Sequence, residues 1–231
     1  MDDRARILAR WVRQPPTTPL VQYLRDAERN AALCFLRSRR TVLDIASESR
    51  VTAGIDADRV IRVDVSVGAS NLAKELMSAT VDGFAIIDAA HPRLPFASDS
   101  FDGAVSIGPY DWLFLDVEGL TAEVHRVLKK HGLFAFSVPT VQSPYHTPES
   151  ARKFKYYRVE ELTHLMDGKQ WRLKDRALLF QPPRIFYGLS SCVPRSLQGP
   201  LVEVCRRWSD SYTRKGLWQK AGYIVAALEK R

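Results

Sequence analysis

Between residues 41 and 139 short apolar runs alternate with amphipathic stretches, and that alternation leaves few folds open. Runs rich in β-branched residues stand at 41–46, 59–66, 83–88, 103–107 and 133–139. Such runs suit strands buried on both faces, as in a parallel sheet. Helical periodicity lies between them at 68–77 and at 117–130, where Leu120, Val124, Val127 and Leu128 share a face. Strands joined through helices imply right-handed crossovers. Two more strands are predicted at 173–180 and 222–228, and more helices at 2–13, 20–37, 158–166 and 201–214. On the helix at 20–37, Leu20, Leu24, Ala27, Ala31, Cys34 and Phe35 share a face, with Arg25, Arg29 and Arg37 off it. The expected class is α/β: a doubly wound, mostly parallel seven-stranded sheet with a helical cap. One domain spans 1–231, with N-terminal helices in 1–40, a core in 41–180, a cap insertion in 181–220 and a final strand in 221–231.

Several function classes fall away on composition. No apolar run approaches the ~18 residues needed to span a bilayer. The first residues are charged and amphipathic, unlike a signal peptide. A soluble cytoplasmic protein with no membrane partner is expected. Cys34, Cys192 and Cys205 are isolated and the five histidines are scattered, so no metal site is expected. The net charge of +8 is uneven: residues 1–40 carry +5, residues 41–140 carry −6 and residues 141–231 carry +9. Basic flanks suit an anionic acceptor or a nucleic acid. The favoured reading is a solvated surface, because the basic residues are interspersed with apolar ones.

In an open parallel sheet, ligands sit outside the carboxyl ends of the strands, at the switch point. Asp44 lies in the first strand, Asp64 closes the second and Asp88 closes the third. Asp64 follows Asp44 by 20 residues. That is near the offset at which dinucleotide folds place a carboxylate on ribose hydroxyls.

The most specific stretch holds Asp88-Ala89, Leu94-Pro95-Phe96, Asp99, Ser100-Phe101-Asp102, Glu123, Arg126-Val127-Leu128-Lys129, Gly132 and Ser137-Val138-Pro139. This order and spacing resemble class I S-adenosylmethionine-dependent methyltransferases, in the small-molecule branch that includes the ubiquinone and menaquinone biosynthesis enzymes. The resemblance covers about 41–180 and the final strand. It implies a Rossmann-like methyltransferase fold, S-adenosylmethionine as cofactor and a small-molecule acceptor. It also implies that Asp88 accepts from the adenine amine while the Ala89 N–H donates to the ring. The family's glycine-rich turn after the first strand is replaced by Asp44-Ile45-Ala46-Ser47-Glu48-Ser49-Arg50. Glycine there permits positive φ and close backbone approach. Ala46 and Ser47 are small enough to leave room. Glu48 and Arg50 are larger: either one intrudes where the cofactor's methionine end would lie, or Glu48 pairs with its ammonium and Arg50 with its carboxylate. Retained binding is expected, through Asp44, Ala46, Ser47, Glu48, Asp64, Asp88, Ala89 and Ile107.

Methyl transfer is an in-line displacement that needs alignment, exclusion of water and sometimes a base. Tyr110, in Gly108-Pro109-Tyr110-Asp111-Trp112, suits a cation–π contact near the sulfonium. Asp111 suits a proton acceptor, or else the first residue of a helical turn. His146 offers a second base. The mixed basic and aromatic residues at 154–158 are read as sheet-edge packing. Two other readings stay open: a non-catalytic binding or regulatory module, motivated by the missing glycines, and an RNA or DNA methyltransferase, motivated by the basic flanks.

Overall fold

The computed structural model describes residues 3–13, 18–48, 50–166, 170–179 and 192–231. Seven strands form one sheet: β1 (Thr41–Ile45), β2 (Arg59–Asp64), β3 (Gly83–Ile86), β4 (Phe101–Ser106), β5 (Leu128–Pro139), β6 (Trp171–Leu179) and β7 (Tyr223–Lys230). Their order is β3-β2-β1-β4-β5-β7-β6. The first five run parallel, and β7 inserts antiparallel between β5 and β6. This is the Rossmann-like methyltransferase sheet expected from the sequence. The order reverses between β1 and β4, so the crevice lies there.

Burial along β1 and β2 is nearly continuous, because helices cover both faces. Period two sorts the strands' side chains between two cores. Leu43, Ile45, Phe134 and Phe136 face one cluster, and Val42, Val105 and Ala135 face the other. The first cluster is closed by α4 (Val117–Val127) through Leu120, Val124 and Val127. The second is closed by α2 (Pro19–Phe35) and α6 (Arg195–Lys215), through Leu20, Leu24 and Cys205. A smaller cluster joins Leu8 of α1 (Asp3–Arg13) to Ala69, Leu72 and Met77 of α3 (Val67–Met77). α5 (Val159–Met166) precedes β6. Caps define the helix starts: Thr18 accepts from Val21 N–H, Ser66 from Ala69 N–H and Asp116 from Gly119 N–H.

Three expectations shift. The helix predicted over 117–130 ends at Val127, because Leu128 turns extended and pairs with Phe101. The turn expected at His131–Gly132 is instead a bulge within β5, with His131 at φ 65°. On α2 the buried residues are Leu20, Leu24, Arg25, Glu28 and Ala32, while Cys34 is exposed. The buried face is thus rotated toward two charged residues, because polar groups wait for them inside. Residues 181–191 of the expected cap lie outside the described residues; its remainder includes α6.

The motif residues of the long signature are largely scaffold. Arg126 donates to the carbonyls of Phe96 (2.8 Å) and Leu94 (2.9 Å), and Glu123 accepts from Leu94 N–H (2.8 Å). Together they clamp the loop before β4 onto α4. Asp102 accepts from Lys129 (2.6 Å) and from Thr41 N–H (3.1 Å).

Arg62 is the largest fully buried side chain, in the middle of β2. It donates to Asp44 (2.7 Å), to Asp64 (3.1 and 3.0 Å), to Thr52 (2.7 Å) and to the Ser47 carbonyl (3.1 Å). Burial lowers its basicity, but Asp44 and Asp64 outweigh that and hold it above its ordinary range. Removing one member of a buried ion network costs ~3–5 kcal/mol. Arg62→Ala is expected to lower the unfolding free energy by about that amount in urea titrations. Asp44→Asn in that background should add much less than it costs alone; additive losses would show that the two residues are not coupled.

Candidate active site

The crevice floor is the loop after β1. Ala46 takes φ 50°, in the left-handed region a glycine would favour. A β-carbon there costs roughly 1–2 kcal/mol, and neighbouring bonds hold it in place. Ala46 N–H donates to Val63 O (2.7 Å) and Glu48 N–H to Ile107 O (2.8 Å). Ser47 Oγ accepts from Ile107 N–H (3.1 Å), and Asp44 accepts from Ser47 N–H (3.1 Å). The turn is therefore stitched to the end of β4 and to Arg62 beneath it. One 3-10 turn, Thr52–Gly54, is all that leads on to β2.

The predicted cofactor residues divide into three groups. Ala46, Glu48 and Asp64 line one narrow cavity. Asp44, Ser47 and Ile107 are buried in the framework: Asp44 spends its oxygens on Ser47, Thr52 and Arg62, and Ile107 offers only its backbone. Asp88 stands exposed at its strand end, accepting from Ala90 N–H (2.9 Å) and pairing with His91 (3.3 Å). The first of those bonds comes first among the causes that hold its carboxyl below the usual range. Ala89 is buried beside it, its carbonyl accepting from Asp116 N–H (2.9 Å). Asp64 keeps one oxygen for Arg62, while its other accepts only a long bond from Val65 N–H (3.3 Å). Burial lifts its carboxyl above the ordinary range despite the guanidinium.

α1 roofs the crevice. Arg4, Ile7 and Leu8 close over Ala46, Asp64 and Trp112, leaving a cavity of about 10 Å³. Ligand pockets run to roughly 300–1,000 Å³. The crevice at the end of β1 and β2 is thus largely filled by α1. α1 is held by Leu8 against α3, by the Arg13–Glu75 ion pair (2.5 Å) and by Arg4 over Trp112 (4.5 Å).

The predicted catalytic residues separate. Tyr110 is a core residue: its hydroxyl meets Thr121 (2.8 Å) and its ring packs on Phe134 and Phe136. Pro109 starts a 3-10 turn, Pro109–Asp111, and Tyr110 within it is fully buried, in the same core cluster as Ala46 and Trp112. Asp111 ends that turn, and the N-cap of α4 is Asp116 instead. Burial drives Asp111 up to about 8, with Glu28 adding and Arg4 opposing. His146 donates from Nδ1 to Val141 O (3.1 Å) and lays its ring on Tyr156 (4.6 Å).

Sequence reasoning missed Glu28, Arg62, Arg4 and Trp112. Burial pushes Glu28 up to about 7, against a bond from Ser137 and the charge of Arg25. Glu48 is driven well above its range by burial and then by Asp111. Glu28 breaks the apolar stripe of its helix, and that break was the available signal.

Residues 43–136 match the family described as a methyltransferase domain. Over those residues the chain carries a methyltransferase domain. S-adenosylmethionine is that domain's cofactor. Among solved structures it is similar to a methyltransferase from Thermotoga maritima described as a possible histamine N-methyltransferase. That pair shares 17% identity and a TM-score of 0.62, over 92% of this chain and 91% of that one. It is similar also to geranyl diphosphate C-methyltransferase of Streptomyces coelicolor, solved with S-adenosyl-L-homocysteine, at 15% identity and TM-score 0.58 over 89% and 77%. A third is the [4+2]-cyclase SpnF, at 20% identity and TM-score 0.53 over 90% and 80%. No curated protein matches the sequence. No helix among the described residues is long and apolar enough to cross a membrane.

The raised acids of this methyltransferase domain carry a pH signature. A carboxyl whose folded pKa is raised contributes stability present below its ordinary pKa and lost as pH climbs through the folded value. For Asp111 that window runs from 3.8 to about 8, and for Glu28 from 4.5 to about 7. Thermal melts should fall across that range. Asp111→Asn should flatten the fall and raise the melting temperature above pH about 8; an unchanged slope would contradict the assignment.

Proposed function

We propose that the protein transfers the methyl group of S-adenosylmethionine to a small-molecule acceptor held beside Asp111. The observation that carries this reading is that the left-handed turn at Ala46 and the half-committed carboxylate of Asp64 line one cavity at the switch point, with Trp112 beside them and the elevated acid Asp111 next to it in the chain. Asp64 would accept from the ribose hydroxyls, Asp88 and Ala89 would receive the adenine, and Glu48 would face the cofactor's ammonium. Ala46 and Ser47 supply close backbone, and Asp44 and Ile107 hold the turn in place. When bound, the cofactor supplies an electrophilic methyl carbon on a sulfonium. Asp111 then serves as proton acceptor, and His146 holds Tyr156 at the cleft wall. Support for a small acceptor comes from the neighbours, whose descriptions give histamine and geranyl diphosphate. A nucleic-acid acceptor finds less support. On α6 the cations Arg206 and Arg207 are already paired with Glu203 and Asp210.

Calorimetric titration with S-adenosyl-L-homocysteine tests the reading. Binding is expected in the wild type, about tenfold weaker in Asp64→Asn, for the loss of charge-assisted bonds. Leu8→Asp should tighten it by freeing α1 from α3. No binding in either the wild type or the Leu8 variant would overturn the proposal.

A further inference from the structure

Ligands of an open parallel sheet reach the carboxyl ends of its strands. Here the space between Ala46, which follows β1, and Asp64, which ends β2, is taken by side chains of α1. Arg4, Ile7 and Leu8 line the same cavity as those two residues, and the volume left measures about 10 Å³. Such a space holds about one water. A helix that folds over a ligand as a lid leaves room beneath it, and ligand pockets run to roughly 300–1,000 Å³. No ligand of that size can meet the Ala46 backbone and the Asp64 carboxylate together while α1 stays where it is. Its position is that of a plug rather than a lid.

α1 is also fastened separately from the rest of the chain. Among the described residues, none from α1 belongs to either large core cluster; Leu8, with Ala9 at its edge, joins only the small cluster on α3. The Arg13–Glu75 ion pair is exposed at both ends, and such pairs hold weakly. The Arg4 guanidinium lies 4.5 Å from the centre of the Trp112 ring and 4.9 Å from that of Phe114. Its Nη1, however, is buried with no hydrogen-bond partner. That nitrogen recovers bonds to water when the helix moves out, so the closed position carries a cost of its own. Once released, α1 does not persist as a helix: its 11 residues fall short of the ~12–15 that an isolated helix needs in water. Leaving the crevice therefore means unfolding.

We infer that α1 is an autoinhibitory plug, which leaves the crevice and unfolds when S-adenosylmethionine enters, so that its closure sets the affinity for the cofactor. The inference rests on the methyl-transfer reading for the identity of the ligand. One equilibrium joins the two events: the apparent dissociation constant is the intrinsic one divided by the fraction of chains with α1 out. The control point is the seam that buries Leu8 against Ala69, Leu72 and Met77 of α3. Whatever loosens that seam raises cofactor affinity without altering Ala46 or Asp64.

Two measurements on the full chain test this: amide hydrogen exchange over residues 3–13, and calorimetric titration with S-adenosyl-L-homocysteine. Saturating S-adenosyl-L-homocysteine should speed exchange over 3–13 while the amides of β1 and β4 stay protected. Leu8→Asp should speed that exchange without ligand, again sparing β1 and β4. It should also tighten binding about ten- to a hundredfold, the range that corresponds to the burial of one leucine. Glu75→Ala should tighten binding about two- to fivefold. Arg6→Ala, an exposed side chain that pairs with Asp3 at the surface, should leave it within about twofold. Slower or unchanged exchange over 3–13 with the ligand bound would overturn the inference, since α1 would then be a lid or a fixed part of the fold. Equal affinity in the wild type and the Leu8 variant, with α1 exchanging faster in the variant, would overturn it as well. Both results leave methyl transfer standing. Absence of binding to a Leu8 variant whose α1 exchanges freely would instead strike the methyl-transfer reading, and the plug would then guard nothing.

Discussion

Everything at the crevice hangs on a guanidinium buried inside the sheet. Arg62 sits opposite Asp44 in the β1–β2 register and reaches both that residue and Asp64. A buried arginine is tolerable only when every donor is answered, and the answers come from the loop after β1. Its bond to the Ser47 carbonyl and Asp44's bond from Ser47 N–H fix the turn from below. Side chains thus provide what glycines would otherwise provide by conformational freedom. The cost falls on Asp64, which gives one oxygen to Arg62 and keeps one toward the cleft.

The strand pattern was legible because parallel strands under two helical layers must be apolar throughout. TVLDI and RVIRVD read as strands in spite of their charges, and β2 shows why that can mislead. Arg62 in that strand looked like a surface residue by type, yet it is fully buried. The long signature from Asp88 to Pro139 was legible for a different reason. Arg126, Glu123 and Asp102 are spent on carbonyls and amides that lock the loop before β4. The sequence signal that most clearly marks the family is therefore a signal about framework.

The site itself was only half legible. Asp111 and Glu48 lie in loops adjoining strand ends, where chain order alone points to them. Tyr110 lies one residue from Asp111 but is fully buried, its hydroxyl spent on Thr121. Glu28 and Arg4 come from helices outside the alternating core. Nothing in strand order says that α1 and α2 return over the β1–β4 switch point. Helical periodicity gave the right helix at 20–37 and most of its apolar face, but not the buried Arg25 and Glu28, because it counts apolar residues. A face that buries Arg25 and Glu28 is defined by the polar groups it meets, and those lie on α1, β5 and the loop after β1.

The same geometry explains why a domain of this class can be closed by its own N-terminal helix. Trp112 is almost fully buried, and Phe114 beside it is about half exposed. Their rings stack at 5.4 Å, and Arg4 caps both. Lifting α1 exposes Leu8 and strips the cation from that stack while leaving the acids of the cleft unbalanced. Ligand entry and helix opening are then coupled through one free-energy difference. By linkage, whatever holds α1 down must weaken binding by the same factor that binding uses to release it.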